Sequence, residues 1–405
     1  MFENINIGLF ITGGIASYKM AELARQFIKQ GATVKVAMTQ SATEFISPLT
    51  LQILTKQPVL VDTFDERDAA NVQHVHMADW CDLAIVAPAT ANILAKMAHG
   101  IADEIVSTTL LATTAPRLIV PAMNVNMYEN PATQRSINLL IQDGYTVMEP
   151  ETGFLAEGYS GKGRLPELTH IVQEAALVYA KHKLPQSLAD KQVLISAGGT
   201  VERIDPVRYI SNDSSGQMGY ALARAAEALG AQVTVVSTRP QLPTSSHWTM
   251  YYVESARQLK EQMEALYPSM DYVVMAAAVS DYRVKNQQTQ KMKKEDQQSG
   301  FTLELVENPD ILKGLGEKKT HQTLIGFAAE THDLLNNAKR KLQRKNADWL
   351  IANDVSRSDA GFNVSMNQVT ILGKDGQQKE LPLLTKQETA RKIWEYILNS
   401  SEEIQ

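Results

Sequence analysis

Two stretches of the chain share one local pattern: an apolar, β-rich run that ends in two glycines and leads into a helical run. Residues 4–12 (NINIGLFIT) run into Gly13-Gly14, and residues 192–197 (QVLISA) run into Gly198-Gly199. Strand–turn–helix units of this kind build parallel sheets that helices cover on both faces. The pattern therefore predicts an α/β protein with two such domains.

Further apolar runs continue the alternation in each half. The additional predicted strands are 33–38, 83–87 and 117–120 in the first half and 232–237, 271–276 and 323–327 in the second. A polar stretch with Pro185 separates the halves, so we predict domains over 1–180 and 191–405 with a linker over 181–190. Ligands of such sheets bind at the carboxyl ends of the strands, which directs attention to the loops there.

Composition narrows the class of protein. Lys+Arg number 39 against 45 Asp+Glu, a net charge of −6, which disfavours a general nucleic-acid-binding surface. The single cysteine, Cys81, excludes an intrachain disulfide framework and a cysteine-built metal centre. The acidic start Met-Phe-Glu-Asn does not resemble a signal peptide, and no apolar run is long enough for a membrane helix. We expect a cytoplasmic protein without a nucleic-acid or membrane partner.

The first glycine pair is a candidate phosphate site. Glycines let the backbone approach a phosphate, and a helix N-terminus offers free N–H groups with a partial positive charge. The candidate residues are Gly13, Gly14, Ile15, Ala16 and Ser17, with the hydroxyls of Thr39 and Ser41 after the second predicted strand. Taken alone, the glycine pair fits a tight turn equally well, and Thr39 and Ser41 fit a helix cap.

Three later segments carry a specific resemblance. They are residues 74–80 (HVHMADW), 87–92 (APATAN) and 121–128 (PAMNVNMY). Together with the glycine loop, they resemble the flavin-dependent cysteine decarboxylases, in particular the phosphopantothenoylcysteine decarboxylase half of the bifunctional coenzyme A biosynthesis family. The resemblance implies a flavodoxin-like domain that binds FMN.

The resemblance also implies roles for individual residues. His74 would be the base, because imidazole titrates near physiological pH, and Asn124 would hydrogen-bond the substrate carboxylate. The flavin phosphate would lie on the 13–17 turn. The flavin ring would lie near a second group of residues, Pro88, Ala89, Thr90, Asn92 and Met123, with Met127 as a pocket wall. A flavin that oxidises the cysteinyl thiol to a thioaldehyde supplies the electron sink that decarboxylation needs.

One position departs from the family pattern. Residues 153–167 (GFLAEGYSGKGRLPE) resemble the family's substrate clamp, but Glu157 stands where the family usually carries a catalytic cysteine. Three hypotheses follow: Glu157 replaces the cysteine as an acid, the domain stops at the oxidised ene-thiol, or the residue was engineered to trap an intermediate. We favour an impaired final reduction, because a carboxylic acid can donate a proton but cannot act as a thiol.

The second glycine pair opens a long polar loop over 204–216 (IDPVRYISNDSSG) that suggests a nucleotide or phosphate site. This loop and later segments resemble the phosphopantothenate–cysteine ligase half of the same family, with a Rossmann-like fold. The implied reaction activates 4′-phosphopantothenate with CTP as an acyl-cytidylate, which cysteine then attacks. Charge accumulates on phosphate oxygens, so cations and Mg2+ are the natural catalysts.

The same resemblance implies the ligase site. Asn212 would hold the acyl-cytidylate, Lys291 would close over the triphosphate from a mobile loop over 285–300, and Asp281 would contact the nucleotide or Mg2+. Further substrate and CTP contacts would come from Arg208, Met275, Ala276, Ala277, Asn308, Pro309, Asp310, Ile311, Phe327, Lys341 and Lys345. Lys341 and Lys345, four apart on one helix face, also fit a solvated basic face.

The resemblance further implies a homo-oligomer, with a trimeric decarboxylase half and a dimeric ligase half. Two other functions stay open at this point. One is a flavin-binding regulatory protein with an impaired decarboxylase, against which His74 and Asn124 argue. The other is an NAD(P) reductase, which the absence of a G-x-G-x-x-G fingerprint at either opening disfavours.

Overall fold

The computed structural model describes residues 2–65, 71–292, 302–330, 334–354 and 366–402. The chain divides between Leu184 and Pro185 into two compact units, which are treated separately below. Residues 293–300, which belong to the mobile loop predicted over 285–300, lie outside the described residues. Within the described ranges, no helix combines the length and apolar character needed to cross a bilayer.

The first unit alternates strands and helices. Its strands are β1 Asn6–Ile11, β2 Thr33–Met38, β3 Val59–Leu60, β4 Leu83–Ala89, β5 Arg117–Pro121, β6 Thr146–Val147, β7 Glu151–Phe154 and β8 Ser160–Arg164. Its helices are α1 Met20–Lys29, α2 Pro48–Thr55, α3 Gln73–Trp80, α4 Ala91–His99, α5 Ile105–Ala112, α6 Val125–Glu129, α7 Pro131–Gln142 and α8 Leu168–Lys183, with 3-10 turns at Ile15–Lys19 and Gln40–Glu44.

The first sheet is parallel, with the strand order β3-β2-β1-β4-β5-β6. When the two-residue edge strand β3 is left out and the other five strands are numbered in chain order, the order becomes 2-1-3-4-5, which is that of flavodoxin-like folds. Alternate residues of β1 serve opposite faces, because Leu9 packs in one buried core with Phe27 of α1 while Phe10 packs in another with Ile93 of α4. Helices therefore cover both faces, which confirms the predicted class.

The second unit repeats the design with additional hairpins. Its strands are β9 Gln192–Ala197, β10 Val201–Arg203, β11 Tyr209–Ser211, β12 Gln232–Ser237, β13 Thr249–Tyr252, β14 Tyr272–Met275, β15 Tyr282–Val284, β16 Leu305–Glu307, β17 Thr323–Glu330, β18 Trp349–Asp354, β19 Met366–Asn367, β20 Val369–Gly373, β21 Gln378–Glu380 and β22 Leu384–Thr385. Its helices are α9 Gln217–Ala228, α10 Ala256–Leu266, α11 Ile311–Glu317, α12 Leu334–Arg344 and α13 Lys386–Glu402, with a 3-10 turn at Tyr267–Ser269.

The second sheet runs β13-β12-β9-β14-β17-β18-β20-β21. Its first six strands are parallel in the classic doubly wound order, and β20 and β21 add an antiparallel edge. Leu194 and Val273 pack with Met263 of α10 on one face. On Trp394 of α13, the indole N–H donates to the carbonyl of Leu222 in α9, 3.1 Å away. The Rossmann-like prediction is confirmed.

The structure refines several predicted boundaries. The helix predicted over 16–30 begins as a 3-10 turn and becomes α-helical only at Met20. The first part of the predicted linker 181–190 is helical, because α8 continues to Lys183. The functional domain limits themselves remain a prediction.

Candidate active sites

The three loops predicted to hold a flavin meet at the carboxyl ends of adjacent strands. Thr12, directly after β1, is buried, and its hydroxyl donates to the carbonyl of Pro88 (2.6 Å) and accepts from the N–H of Thr90 (3.1 Å). These bonds fix the turn after β1 against the end of β4. Ala89 is buried in the strand, whereas Asn92 is exposed at the start of α4.

The glycine turn after β1 also touches the loop after β2. A Cβ on Gly13 would lie 2.5 Å from the Cβ of Ser41, so only glycine permits this approach. Thr39 caps the following 3-10 turn by accepting from the N–H of Ala42 (3.3 Å). The cap interpretation of Thr39 is therefore correct, and its hydroxyl stays at the same edge of the sheet.

The turn over 13–17 is built to present backbone N–H groups. Gly14 precedes the 3-10 turn Ile15–Lys19 and provides no side-chain cap, and the first turn carries no acidic residue. The Ser17 hydroxyl does not face this opening, because it is buried and donates to the carbonyl of Thr12 (2.8 Å). We therefore interpret Ser17 as support for the turn and the N–H groups of Gly14, Ile15 and Ala16 as its anion-facing part.

Asn124 is held by a bond to its carbonyl oxygen and presents its amide N–H group. Its Oδ1 accepts from the N–H of Asn126 (2.9 Å) and thereby caps α6. Its Nδ2 donates to Oε1 of Glu157 (2.9 Å) and to the hydroxyl of Tyr159 (2.5 Å). In this structure the Glu157 carboxylate therefore accepts a hydrogen bond from the same amide group that was predicted to bind the substrate carboxylate.

Glu157 and Tyr159 reach Asn124 from the hairpin β7–β8, which corresponds to the predicted clamp. The hairpin touches the Asn124 loop at Gly163, whose carbonyl accepts from the N–H of Met123 (3.0 Å). A Cβ on Gly163 would lie 2.1 Å from the carbonyl oxygen of Met123, so a side chain would force the strand away. Met127, 50% exposed, lines a groove of ≈ 580 Å³ that runs between α4 and α7.

His74 lies in the first turn of α3. Its Nδ1 is buried and has no hydrogen-bond partner among the described residues, which is uncommon for a buried polar atom. No described hydrogen bond joins His74 to the Asn124 cluster. Its neighbour His76 is exposed on the same helix, as expected for a surface residue.

Cys81 lies away from the clamp. It ends α3, is buried in the core cluster that contains Phe10 and Val86, and its Sγ lies 3.4 Å from the hydroxyl of Thr113. Burial raises the pKa of the Cys81 thiol. This thiol therefore has neither the position nor the ionisation to replace the missing clamp cysteine.

In the second unit, the ends of β9 and β14 are joined. The segment at Gly199 pairs with that at Ala278, and the Thr200 hydroxyl accepts from the N–H of Ser280 (3.0 Å). The amide of Asn212 donates to the carbonyl of Val279 (3.1 Å), which places Asn212 on the same edge. Met275 is buried at the end of β14, and Ala276 and Ala277 continue half-buried into the loop.

The loop after β14 also contacts the residues before α11. The side-chain amide of Asn308 donates to the carbonyl of Ser280 (2.9 Å), and its backbone N–H to the carbonyl of Asp281 (2.7 Å). Pro309 follows, Ile311 is buried at the start of α11, and Phe327 is half-buried in the adjacent strand β17. The predicted nucleotide residues of these segments thus lie on neighbouring strands of one edge.

A protein-built metal centre is not found there. The described residues contain no cluster of three or more His, Cys, Asp or Glu side chains suited to a metal ion. Asp281 is exposed and offers a single carboxylate. Mg2+ is commonly held by one or two carboxylates together with substrate phosphates, and the lone carboxylate fits that arrangement.

Arg208 and Lys291 lie on segments that one buried carboxylate connects. Asp205 is 0% exposed and accepts from Nε of Arg208 (3.0 Å) and from the N–H of Met292 (3.2 Å). The hydrogen bond from the Arg208 guanidinium is the largest of the effects that hold the pKa of Asp205 well below its usual range. Lys291 itself is exposed.

Lys345 and Asp310 form an ion pair between α12 and the start of α11. Asp310 also caps α11 by accepting from the N–H of Lys313 (3.1 Å). Burial raises the pKa of Asp310, but the bonds from Lys345 and Lys313 outweigh that effect and lower it overall. Lys341 is half-buried one turn before Lys345. Lys345, the residue directly after α12, therefore contacts the predicted nucleotide residue Asp310, and the solvated-face interpretation does not hold for Lys345.

Three residues in these sites were missed by sequence reasoning: Thr12, Tyr159 and Asp205. Tyr159 lies two residues from Glu157 in the turn between β7 and β8, where strand alternation does not apply and offers no signal. An Asp three residues before an Arg predicts a side-chain turn, which was a usable signal for Asp205. Nothing in the sequence indicates that this carboxylate is buried.

Two family models match the chain, one after the other along the sequence. The model described as "Flavoprotein" matches residues 1–178, and the one described as "DNA/pantothenate metabolism flavoprotein C-terminal domain" matches residues 188–400. The order of the two matches agrees with the resemblance found in the sequence.

Relatives match over nearly the whole chain. The coenzyme A biosynthesis bifunctional protein CoaBC of Bacillus subtilis (strain 168) is 48% identical over 398 residues, covering 98% of this chain and 97% of that protein. The protein of the same name from Escherichia coli (strain K12) is 40% identical over 383 residues, covering 94% and 93%. A crystal structure of the C-terminal domain of such a protein is 43% identical, covers 54% of this chain and 99% of that chain, and has a TM-score of 0.46.

Proposed function

Because this chain belongs to the family of coenzyme A biosynthesis bifunctional proteins, we propose that its first half holds FMN and its second half uses CTP. The chain is a flavoprotein and a bifunctional enzyme, a phosphopantothenoylcysteine decarboxylase and a phosphopantothenate–cysteine ligase. Its substrates are small molecules. The product of the ligase reaction is the substrate of the decarboxylase.

In the first half, the FMN phosphate lies on the N–H groups of Gly14, Ile15 and Ala16, with the Thr39 and Ser41 hydroxyls beside it. The main support is the open, uncapped turn at the meeting point of three loops. A phosphate there gains from unsatisfied donors and from the helix dipole. The ring lies along residues 88–92, with Met123 at its side.

Each polar residue of the site has a role in the proposed decarboxylation. His74 takes a proton from the cysteinyl side chain through a nitrogen of its ring, and Asn124 hydrogen-bonds the substrate carboxylate without adding a charge that would retain it. FMN held by residues 13–17 and 88–92 would supply oxidation of the cysteinyl thiol, which creates the electron sink that loss of CO2 needs. The single observation that supports the anchor best is the carboxylate of Glu157 on the Asn124 amide, 2.9 Å away.

The same contact bears on the final step of this half. Glu157 stands at the position where a resembling clamp would carry a thiol, and its side chain is exposed. A carboxylic acid donates a proton effectively only when its environment favours the protonated form. We therefore assign this chain a decarboxylation that proceeds and a final reduction that is impaired.

The product mass tests this assignment. Incubated with phosphopantothenoylcysteine in air, whose oxygen reoxidises the reduced flavin, the unchanged chain is expected to accumulate the ene-thiol, two hydrogen atoms lighter than phosphopantetheine. The Glu157→Cys variant is expected to release saturated phosphopantetheine. Equal yields of the saturated product from both proteins would show that Glu157 is a competent acid, while absence of any decarboxylated product would reject the assignment of the whole site.

In the second half, Lys291, Arg208, Lys341 and Lys345 stabilise the CTP triphosphate. Asp281 would hold Mg2+ with the help of the CTP phosphates, and Asn212 would hold the acyl-cytidylate. The carboxylate of 4′-phosphopantothenate attacks the α-phosphorus and pyrophosphate leaves; the cysteine amine then attacks the acyl carbon and CMP leaves. Mg2+ and the cations lower the cost of the negative charge at each step.

Assembly and location complete the proposal. We infer a trimer through the first half and a dimer through the second, and a cytoplasmic location, where CTP and cysteine are available. Apolar side chains exposed on α2, Leu49 at 60% and Ile53 at 56%, support association of the first half. Analytical ultracentrifugation of the full chain measures the assembly.

A further inference from the structure

We propose that Asp205 is a positioning residue of the ligase reaction, which holds Arg208 and the Lys291 segment in one arrangement. The inference rests on the proposed roles of Arg208 and Lys291. Asp205 would not touch the substrate. It would act through the two cations.

The first step is the environment of Asp205. It lies at the tip of the hairpin β10–β11 and is 0% exposed. Its Oδ1 accepts from the N–H groups of Val207 and Arg208, each at 2.8 Å. Its Oδ2 accepts from the Arg208 guanidinium and from the N–H of Met292. A buried carboxylate with this many donors is ionised and rigidly oriented.

The second step is that these bonds join two separate segments. Met292 is fixed at both backbone groups, because its N–H donates to Asp205 (3.2 Å) and its carbonyl accepts from Arg208 (3.1 Å). The N–H of Gln288 also donates to the carbonyl of Ile204 (2.9 Å). Lys291 precedes Met292 directly. The backbone that carries Lys291 is therefore fixed to the hairpin tip that carries Arg208.

The third step is charge. Two cations that serve one triphosphate repel each other before the nucleotide arrives, and a carboxylate behind them offsets that repulsion. Arg208 keeps 39% of its side chain exposed while Asp205 binds it from the buried side. The arrangement leaves the guanidinium accessible and fixes its direction. Prepositioned charge of this kind is what stabilises a phosphoryl-type transition state without reorganisation.

The test compares Asp205→Asn with the unchanged chain in CTP-dependent pyrophosphate release from 4′-phosphopantothenate and cysteine. Asparagine keeps the shape but loses the charge and part of the acceptor set. We expect kcat to fall about 10- to 100-fold, the loss that a displacement of about 1 Å produces in an active site. Decarboxylation of phosphopantothenoylcysteine by the same protein is expected to be unchanged.

Glu227→Gln is the matched control for a purely structural carboxylate. Glu227 is buried and accepts from Nε1 of Trp248 (2.9 Å) and the hydroxyl of Ser245 (2.7 Å), near the far end of α9. Its loss is expected to lower the melting temperature with little change in kcat. If Asp205→Asn lowers kcat no more than Glu227→Gln does, Asp205 is only a structural residue and the proposal is wrong.

A double-mutant cycle with Lys291→Gln separates the proposal from its premise. If Asp205 acts through Lys291, adding Asp205→Asn to Lys291→Gln should cost far less than it costs alone. Fully multiplicative losses overturn the proposal while leaving the role of Lys291 intact. Normal ligation by Lys291→Gln overturns the premise itself, and the proposal with it.

A second pair of variants applies if Asp205→Asn does not fold. Met292→Pro removes the N–H that donates to Asp205, whereas Met292→Ala keeps it. The proposal expects a lower kcat for the proline variant than for the alanine variant, with faster cleavage of residues 285–292 by proteinase K, a protease of broad specificity. Equal kcat values and equal cleavage rates for the two variants contradict it.

Discussion

At the scale of single residues, the Asn124 amide is the most informative group of the first half. Its Nδ2 donates to a carboxylate of the chain itself, Glu157, and to the Tyr159 hydroxyl. The clamp therefore carries a mimic of the substrate carboxylate. In the proposed site, a substrate carboxylate would displace this carboxylate, which would cost one charge-assisted hydrogen bond and return another.

Changing Asn124 to Asp tests this exchange. A carboxylate at this position would repel both Glu157 and the substrate carboxylate, so we expect decarboxylation to fall about 100-fold or more while flavin absorbance is retained. Asn126→Asp, the same charge change on the exposed neighbour in α6, is the control and should retain activity. Comparable losses from the two variants would mean that general charge, and not the anchor, is responsible.

Asp205 also gives the second unit a defined acid sensitivity. Its pKa in the folded chain is lowered, mainly by Arg208, below the value of about 3.9 that an unfolded Asp has. A lowered pKa stabilises the folded state above the unfolded value, and this stabilisation is lost as the pH falls through the folded one.

We therefore expect the free energy of unfolding of the unchanged chain to exceed that of Asp205→Asn by a constant amount above about pH 5, and this difference to shrink steadily as the pH falls below about 4 towards the lowered folded pKa. Urea unfolding followed by tryptophan fluorescence measures this, because Trp248, Trp349 and Trp394 report on the second unit. A difference that does not change with pH would show that the carboxylate contributes by shape alone.

Sequence reasoning at this scale identified residue types better than their directions. The ligand contacts of Asn124 and Arg208 stay predictions, and both side chains bind carboxylates of the chain itself, whereas the hydroxyl of Ser17 points inward to the carbonyl of Thr12. Whether a short side chain faces the ligand or the backbone depends on a local turn of the chain. That turn is held by contacts with β4, whose residues lie far from the turn in the sequence.

At the scale of elements, glycines decide how closely the hairpin β7–β8 approaches the Asn124 loop. Gly163 leaves no room for a Cβ beside the Met123 carbonyl oxygen, which is backbone and cannot turn away. Gly153, in the same hairpin, would meet only the end of the flexible Arg164 side chain at 3.1 Å. We therefore expect the hairpin to tolerate alanine in place of Gly153 but not in place of Gly163.

We expect Gly163→Ala to move the clamp off the Asn124 loop and to lower decarboxylation about 100-fold, as displacements of about 1 Å do, while ligation is unchanged. Gly153→Ala should retain most of the activity. The comparison needs both rates on the same preparations. A Gly163→Ala variant as active as Gly153→Ala would show that the contact with Met123 does not serve catalysis.

The regular elements were the easiest part to predict. β2, β9 and β12 have the predicted bounds, because their apolar runs are flanked by clear turn residues. The two-residue strands β3 and β6 carry no pattern of their own and exist only through their neighbours in the sheet. The hairpins that carry Tyr159 and Asp205 depend on pairing between short polar strands, which periodicity does not detect.

At the scale of the whole molecule, each of the two proposed sites draws its residues from one unit. The flavin loops, His74 and the clamp lie within residues 1–184, and the Asp205–Lys291 arrangement lies within 185–405. Each unit has its own sheet and its own buried core. Substitutions that act locally should therefore separate the two activities.

Lys291→Gln should lower CTP-dependent ligation about 100-fold or more, because an ammonium that stabilises phosphate charge is lost, and should leave decarboxylation unchanged. Lys285→Gln makes the same charge change in the same connection, at a lysine paired with Glu304, and should retain ligation. Asn124→Asp should show the reverse pattern, with ligation intact. Parallel loss of both activities in Lys291→Gln, with the melting profile unchanged, would mean that the two reactions share a site, because unfolding could no longer explain the coupling.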